Sequence, residues 1–144
     1  MFTKFGPGLA RFVFGLVVLV FGLNGFLNFM PLPPPPPQAG AFMGALAATV
    51  YMFPLIKGIE VIVGVLLLSN RFVPLALALI APNVVNIVLF HAVLAPAGLP
   101  VALLVLALEL YLAWAYRGSY RAMLQARTSL ETVERGSKLD VATT

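Results

Sequence analysis

The chain contains no cysteine in 144 residues, so it forms no disulfide and offers no thiolate as ligand, nucleophile or redox centre. Histidine occurs once, at His91, which leaves structural zinc or haem ligation without its usual donors. Charge is equally scarce. Asp, Glu, Lys and Arg make up 10% of the chain, against about 25% in a soluble domain. The sequence holds no G-x-S-x-G, no H-E-x-x-H, no phosphate-binding loop and no G-x-G-x-x-G. The common hydrolase, metalloprotease, nucleotide-hydrolysing and dehydrogenase signatures are therefore missing. The net charge of +4 does not point to nucleic acid, because the basic residues gather at the ends of apolar runs and in the tail.

What the chain has in quantity is apolar surface: 61% hydrophobic residues and a mean hydropathy of +1.01. That composition predicts an all-α integral membrane protein. The expected architecture is a four-helix bundle with an extra short re-entrant or interfacial helix after the first span. The runs place spans at about 9–29, 53–69, 74–94 and 99–116, within one transmembrane domain covering 1–121. A polar tail follows at 122–144, with a weak capping box from Thr128 to Glu131. The first run has a basic start, as a signal peptide does. Its length suits a full crossing and no A-x-A-like site follows, so it reads as a retained helix.

Between the first two spans lies "PLPPPPPQAG", in which Pro33 to Pro37 favour a stiff polyproline II segment. It reads as a surface strap, with partner docking as the alternative. The next stretch, Ala41 to Met52, is helical by composition but too short to cross alone. Pro54 is expected to mark the bend into the second span; a single kinked helix from Ala41 to Ser69 is the other arrangement. Lys4, Arg11, Arg71, Arg117, Arg121 and Arg127 all fall on one side of a four-span chain, and the proline side has no lysine or arginine. The positive-inside rule then places both termini in the cytoplasm, in the plasma (bacterial inner) membrane.

The polar residues inside these spans are the candidates for function. Lys57 and Glu60 stand at i, i+3 in the second span, close enough to pair, and a charge at that depth needs a polar surround. The spacing suits a structural ion pair as well as a site. Asn24, Asn83 and Asn86 fall at comparable depth or nearer the midplane. Glu109 has no basic partner in its own span, and His91 sits near a helix end, where an interfacial hydrogen bond is its ordinary role. Together Lys57, Glu60, Asn24, Asn83, Asn86, His91 and Glu109 form an expected polar pocket in the outer half of the bundle. Apolar walls with a few polar groups suit a lipophilic ligand such as a quinone.

Three stretches carry a family resemblance: "FGLNGF" at Phe21 to Phe26, "KGIEVIVGVLLL" at Lys57 to Leu68 and "PNVVNIVLFH" at Pro82 to His91. In that order, over about Leu9 to Arg121, the chain resembles the DoxX family of small four-helix membrane proteins. The resemblance implies an accessory or small subunit of a membrane redox system, quinone-linked and partnered by oxidoreductase subunits in the bilayer, with homo-oligomers compatible. It marks Lys57, Glu60, Asn24, Asn83, Asn86 and His91 as the matching polar positions. The thiol chemistry of distant relatives needs cysteines absent here. A carrier for a small solute or lipophilic compound, or a purely structural membrane partner, is the alternative.

Overall fold

The structure, a computed structural model, describes residues 2–121 and 123–126. Arg127 and the Thr128 to Glu131 box, with most of the expected tail, lie outside the described residues. Among those described there are five α-helices and no strand: α1 (Phe2–Leu27), α2 (Pro37–Ala48), α3 (Met52–Leu68), α4 (Val73–Val93) and α5 (Leu99–Ala115). Two 3-10 turns flank α5, at Pro96–Gly98 and Arg117–Tyr120. Three helical segments are long and apolar enough to cross a membrane: Gly6–Leu27, Val73–Val93 and Pro96–Ala115. With 17 residues, α3 is about 25 Å long, short of a hydrocarbon core of about 30 Å. It meets α2 at 93°, and the pair counts as a fourth crossing only when taken together. The chain is thus a multi-pass, all-helical membrane protein with three to four candidate spans.

Antiparallel packing of α1 on α3 dominates the interior, and glycine makes it possible. A Cβ on Gly64 would stand 2.6 Å from the Cβ of Leu19 and 2.8 Å from its backbone; one on Gly22 would stand 2.9 Å from the Cβ of Glu60. Lipid tails are as apolar as leucine, so close backbone approach of this kind is what associates helices in a bilayer. The buried core runs through the helix group: Phe14 and Val18 of α1, Val63 and Leu67 of α3, Ile80 and Val84 of α4, Val105 and Leu112 of α5. The opposite faces, with Leu79, Val85, Leu104 and Leu110, are exposed as a lipid-facing surface would be.

The two ends differ in chemistry. At one, Arg11 donates to the carbonyl of Leu67 near the end of α3, where a cation suits the helix dipole. The Arg117 guanidinium lies 4.6 Å from the Trp114 ring, and the Tyr120 hydroxyl donates to the Pro74 carbonyl at 2.8 Å. Arg71 occupies the α3–α4 connection at this same end. Burial, helped by the field of Glu109, raises the Tyr120 phenol above its ordinary range. The other end carries the proline strap and the Pro96–Gly98 turn.

Local chemistry moves three boundaries. The first helix stops at Leu27 because Asn28 turns left-handed (φ 47°). The short helix begins at Pro37, not Ala41, since proline is well suited to the first helical turn, where its missing N–H costs nothing. The bend falls at Thr49–Tyr51 rather than at Pro54, which sits harmlessly in the first turn of α3. There the Thr49 hydroxyl donates to Leu46 O (2.6 Å) and accepts from Met52 N (3.1 Å), ending one helix and starting the next. Val50 takes φ 67° in between, an uncommon position for a β-branched residue.

Candidate functional site

Between the helices, at the end carrying the strap, lies a cavity of about 800 Å³. Phe21, Val17 and Val18 of α1, Ile80, Val84 and Ile87 of α4, and Val101, Ala102 and Val105 of α5 make its apolar walls. Lys57, Glu60, Asn83 and His91 are the polar exceptions. The Leu32–Pro36 strap and the Ala95–Gly98 segment line its outer side.

The polar groups form a connected cluster on α3 and α4. Lys57 Nζ lies 2.8 Å from Glu60 Oε2, and Asn83 Nδ2 donates to Glu60 Oε1 at 2.9 Å. Both carboxylate oxygens are therefore satisfied, which a glutamate only 4% exposed requires. Asn83 reaches Glu60 because it lies on the inner flank of α4, next to buried Val84. Gly22 and Gly25 of α1 leave room for the pair: their missing side chains would collide with Glu60 and with the Lys57 stem. Lys57 and Glu60 are the charged residues on the cavity wall, so that wall has a cation and an anion that balance.

About two turns beyond Asn83 on α4, His91 Nδ1 is 2.8 Å from the carbonyl of Ile87. A carbonyl only accepts, so Nδ1 carries a hydrogen, and Nε2 is the nitrogen that accepts when the ring is neutral. The ring edge rests on Gly98, where a Cβ would overlap it, and Phe90 meets it edge-on with centroids 5.2 Å apart. Lysine ammonium and asparagine amide in one cluster, an imidazole acceptor apart from it and apolar sides between can hold an uncharged amphiphile with oxygen functions. Among the described residues no three His, Asp or Glu side chains come close enough to hold a metal ion.

The structure therefore brings together Lys57, Glu60, Asn83 and His91, and places the other three candidates elsewhere. Asn24, 6% exposed, turns its amide onto the backbone of Met30, accepting from Met30 N at 2.7 Å and donating to Met30 O at 3.3 Å. It anchors the start of the strap rather than lining the cavity. Asn86 is exposed on the outer face of α4: three residues past Asn83 is about 60° further around the helix, enough to leave the interior. Glu109 is buried on α5 one turn beyond Val105, towards Tyr120 and the basic end, and its Oε1 has no hydrogen-bond partner. Counting from the outer loop put it too near the pocket.

The strap was missed as a wall, as was Gly98. The available signal was Asn24 itself, an amide one turn before a helix end that precedes seven residues with hardly any N–H of their own. Comparison with family models, with curated proteins and with solved structures finds no match to this chain.

Proposed function

We propose that this chain is a four-helix-bundle membrane protein whose cavity holds a quinone-class ligand, and that it serves as an accessory subunit of a membrane redox system. The observation that carries the reading is the cavity of about 800 Å³ with apolar walls, the hydrogen-bonded cluster of Lys57, Glu60 and Asn83, and His91 apart from it. That volume lies within the range of about 300–1,000 Å³ usual for small-molecule sites, which are mostly apolar with a few placed polar groups. The balanced Lys57–Glu60 pair favours an uncharged head over a phosphate or carboxylate. Lys57 and Asn83 suit a carbonyl oxygen; His91 Nε2 suits a hydroxyl. A quinone ring in its oxidised and reduced forms presents both. The DoxX-like stretches from Phe21 to His91 support the same direction.

In this reading the basic end faces the cytoplasm of a bacterial inner membrane and the strap faces outward, by the positive-inside rule. The chain's own residues bind and orient the ligand, and oxidoreductase subunits supply the electrons. Purification in mild detergent followed by solvent extraction and mass spectrometry tests it. A quinone recovered at near-stoichiometric amounts, and lost with Asn83→Leu, is the expected result. Quinone at the level of bulk lipid carry-over in both proteins would refute it; flux of a lipophilic solute through liposomes of the isolated protein would replace it with a carrier.

A further inference from the structure

The outer face of α4 bears a polar group that lipid cannot satisfy. Asn86 lies seven residues from the end of a 21-residue apolar helix, roughly 10 Å inside it, and its side chain is exposed. It takes no part in the side-chain hydrogen bonds that engage Asn24 and Asn83. Pro82, one turn earlier on the same exposed stripe, has no N–H, so the carbonyl of exposed Ala78 also lacks its helical donor. An exposed amide on this face, with a carbonyl beside it that has lost its helical donor, calls for a polar partner, because an unsatisfied amide in hydrocarbon is costly. The rest of the stripe, Leu75, Leu79 and Leu89, is exposed and apolar. One turn beyond Asn86, Phe90 is covered by Phe42 of α2 with ring centroids 5.7 Å apart, so the open part of the stripe ends there.

We infer that the occupant of this face is a second copy of the chain, packed α4 against α4 about a two-fold axis, with the two Asn86 amides hydrogen-bonded to each other. A carboxamide carries a donor and an acceptor on one group and is complementary to its own symmetry mate. Helix pairs in membranes use Asn across the contact in this way, with small residues such as Ala78 allowing the approach. The lipid-facing surface of α5 at Leu104 has no comparable group and stays against lipid.

The absence of native cysteine makes the test direct. Single-cysteine proteins Leu89→Cys and Leu104→Cys are oxidised in membranes, each with Asn86 intact and with Asn86→Leu. Leu89→Cys is expected to give a disulfide-linked dimer that falls at least five-fold with Asn86→Leu, while Leu104→Cys gives none. Equal cross-linking at 89 and 104, or a Leu89→Cys dimer indifferent to Asn86→Leu, would overturn the inference. Photobleaching steps of the labelled wild-type protein in nanodiscs stand independently of any variant: two steps are expected, and one step overturns the dimer.

Discussion

Removing either member of the Lys57–Glu60 pair should be more damaging than removing both. Glu60 is almost fully enclosed, with Lys57 on one oxygen at 2.8 Å and Asn83 on the other at 2.9 Å. Lys57→Met leaves a buried carboxylate with a single neutral donor, and breaking a buried pair in this way costs about 3–5 kcal/mol. Glu60→Gln is gentler. The new amide oxygen can still accept from Lys57, but its NH2 group faces the Asn83 donor, so the loss is that of a charged hydrogen bond, about 1.5–3 kcal/mol. In the double variant Lys57→Met with Glu60→Gln no ion remains. The amide can meet Asn83 as donor or acceptor, and the loss should shrink to about 1–2 kcal/mol. The double-mutant cycle, read by thermal unfolding of the purified proteins in one detergent, should therefore show a coupling of about 2.5–7 kcal/mol. Additive losses within about 0.5 kcal/mol would refute the reasoning. They would mean that water or lipid headgroups already solvate the two charges.

Three further outcomes rest on separate contacts. Gly64→Ala should destabilise by about 1–3 kcal/mol, since its Cβ would press on the Leu19 backbone, whereas Gly44→Ala, with open space around it, should be neutral or stabilising by up to about 1 kcal/mol; unfolding curves of the two variants check this. Asn24→Ala should free the strap while leaving the helices in place. Protease cutting between 28 and 40 should rise without loss of the protein from the membrane, and a wild-type cutting pattern would contradict the anchor at Met30. Val50→Gly should raise stability or leave it unchanged by relieving φ 67°; a loss above about 1 kcal/mol in the same unfolding assay would show that the valine side chain holds the α2–α3 bend.

The apolar runs made the helices legible, because length and hydropathy are local properties. Each helix lies within a few residues of its expected place except at the start of α1. The Lys57–Glu60 pairing was legible for the same reason: i, i+3 spacing brings side chains together wherever the helix sits. What sequence alone could not supply was helix rotation. Asn83 and Asn86 look equivalent at i, i+3, yet about 60° separates a hydrogen-bond donor to Glu60 from a residue exposed on the outer face of α4. The buried Glu109 was placed by depth along a straight helix, a coordinate that says nothing about which neighbour it meets. The proline tract reads as a surface strap because it is stiff and no basic residue flanks it to mark a docking site. Its role as a cavity wall depends on the Asn24 anchor, a contact across a left-handed turn that no periodicity encodes.

In the proposed reading, the cavity at the strap end is a ligand site. Photoaffinity labelling in native membranes with a benzoquinone carrying a photoreactive tail tests it most directly, with the labelled residues mapped by mass spectrometry. Saturable labelling is expected, concentrated on Leu32–Pro36, the Asn83–His91 segment of α4 and Val101–Val105 of α5, competed by unlabelled quinone and abolished by Asn83→Leu. Labelling that does not saturate and spreads over the lipid-facing leucines, such as Leu79 and Leu104, would contradict it.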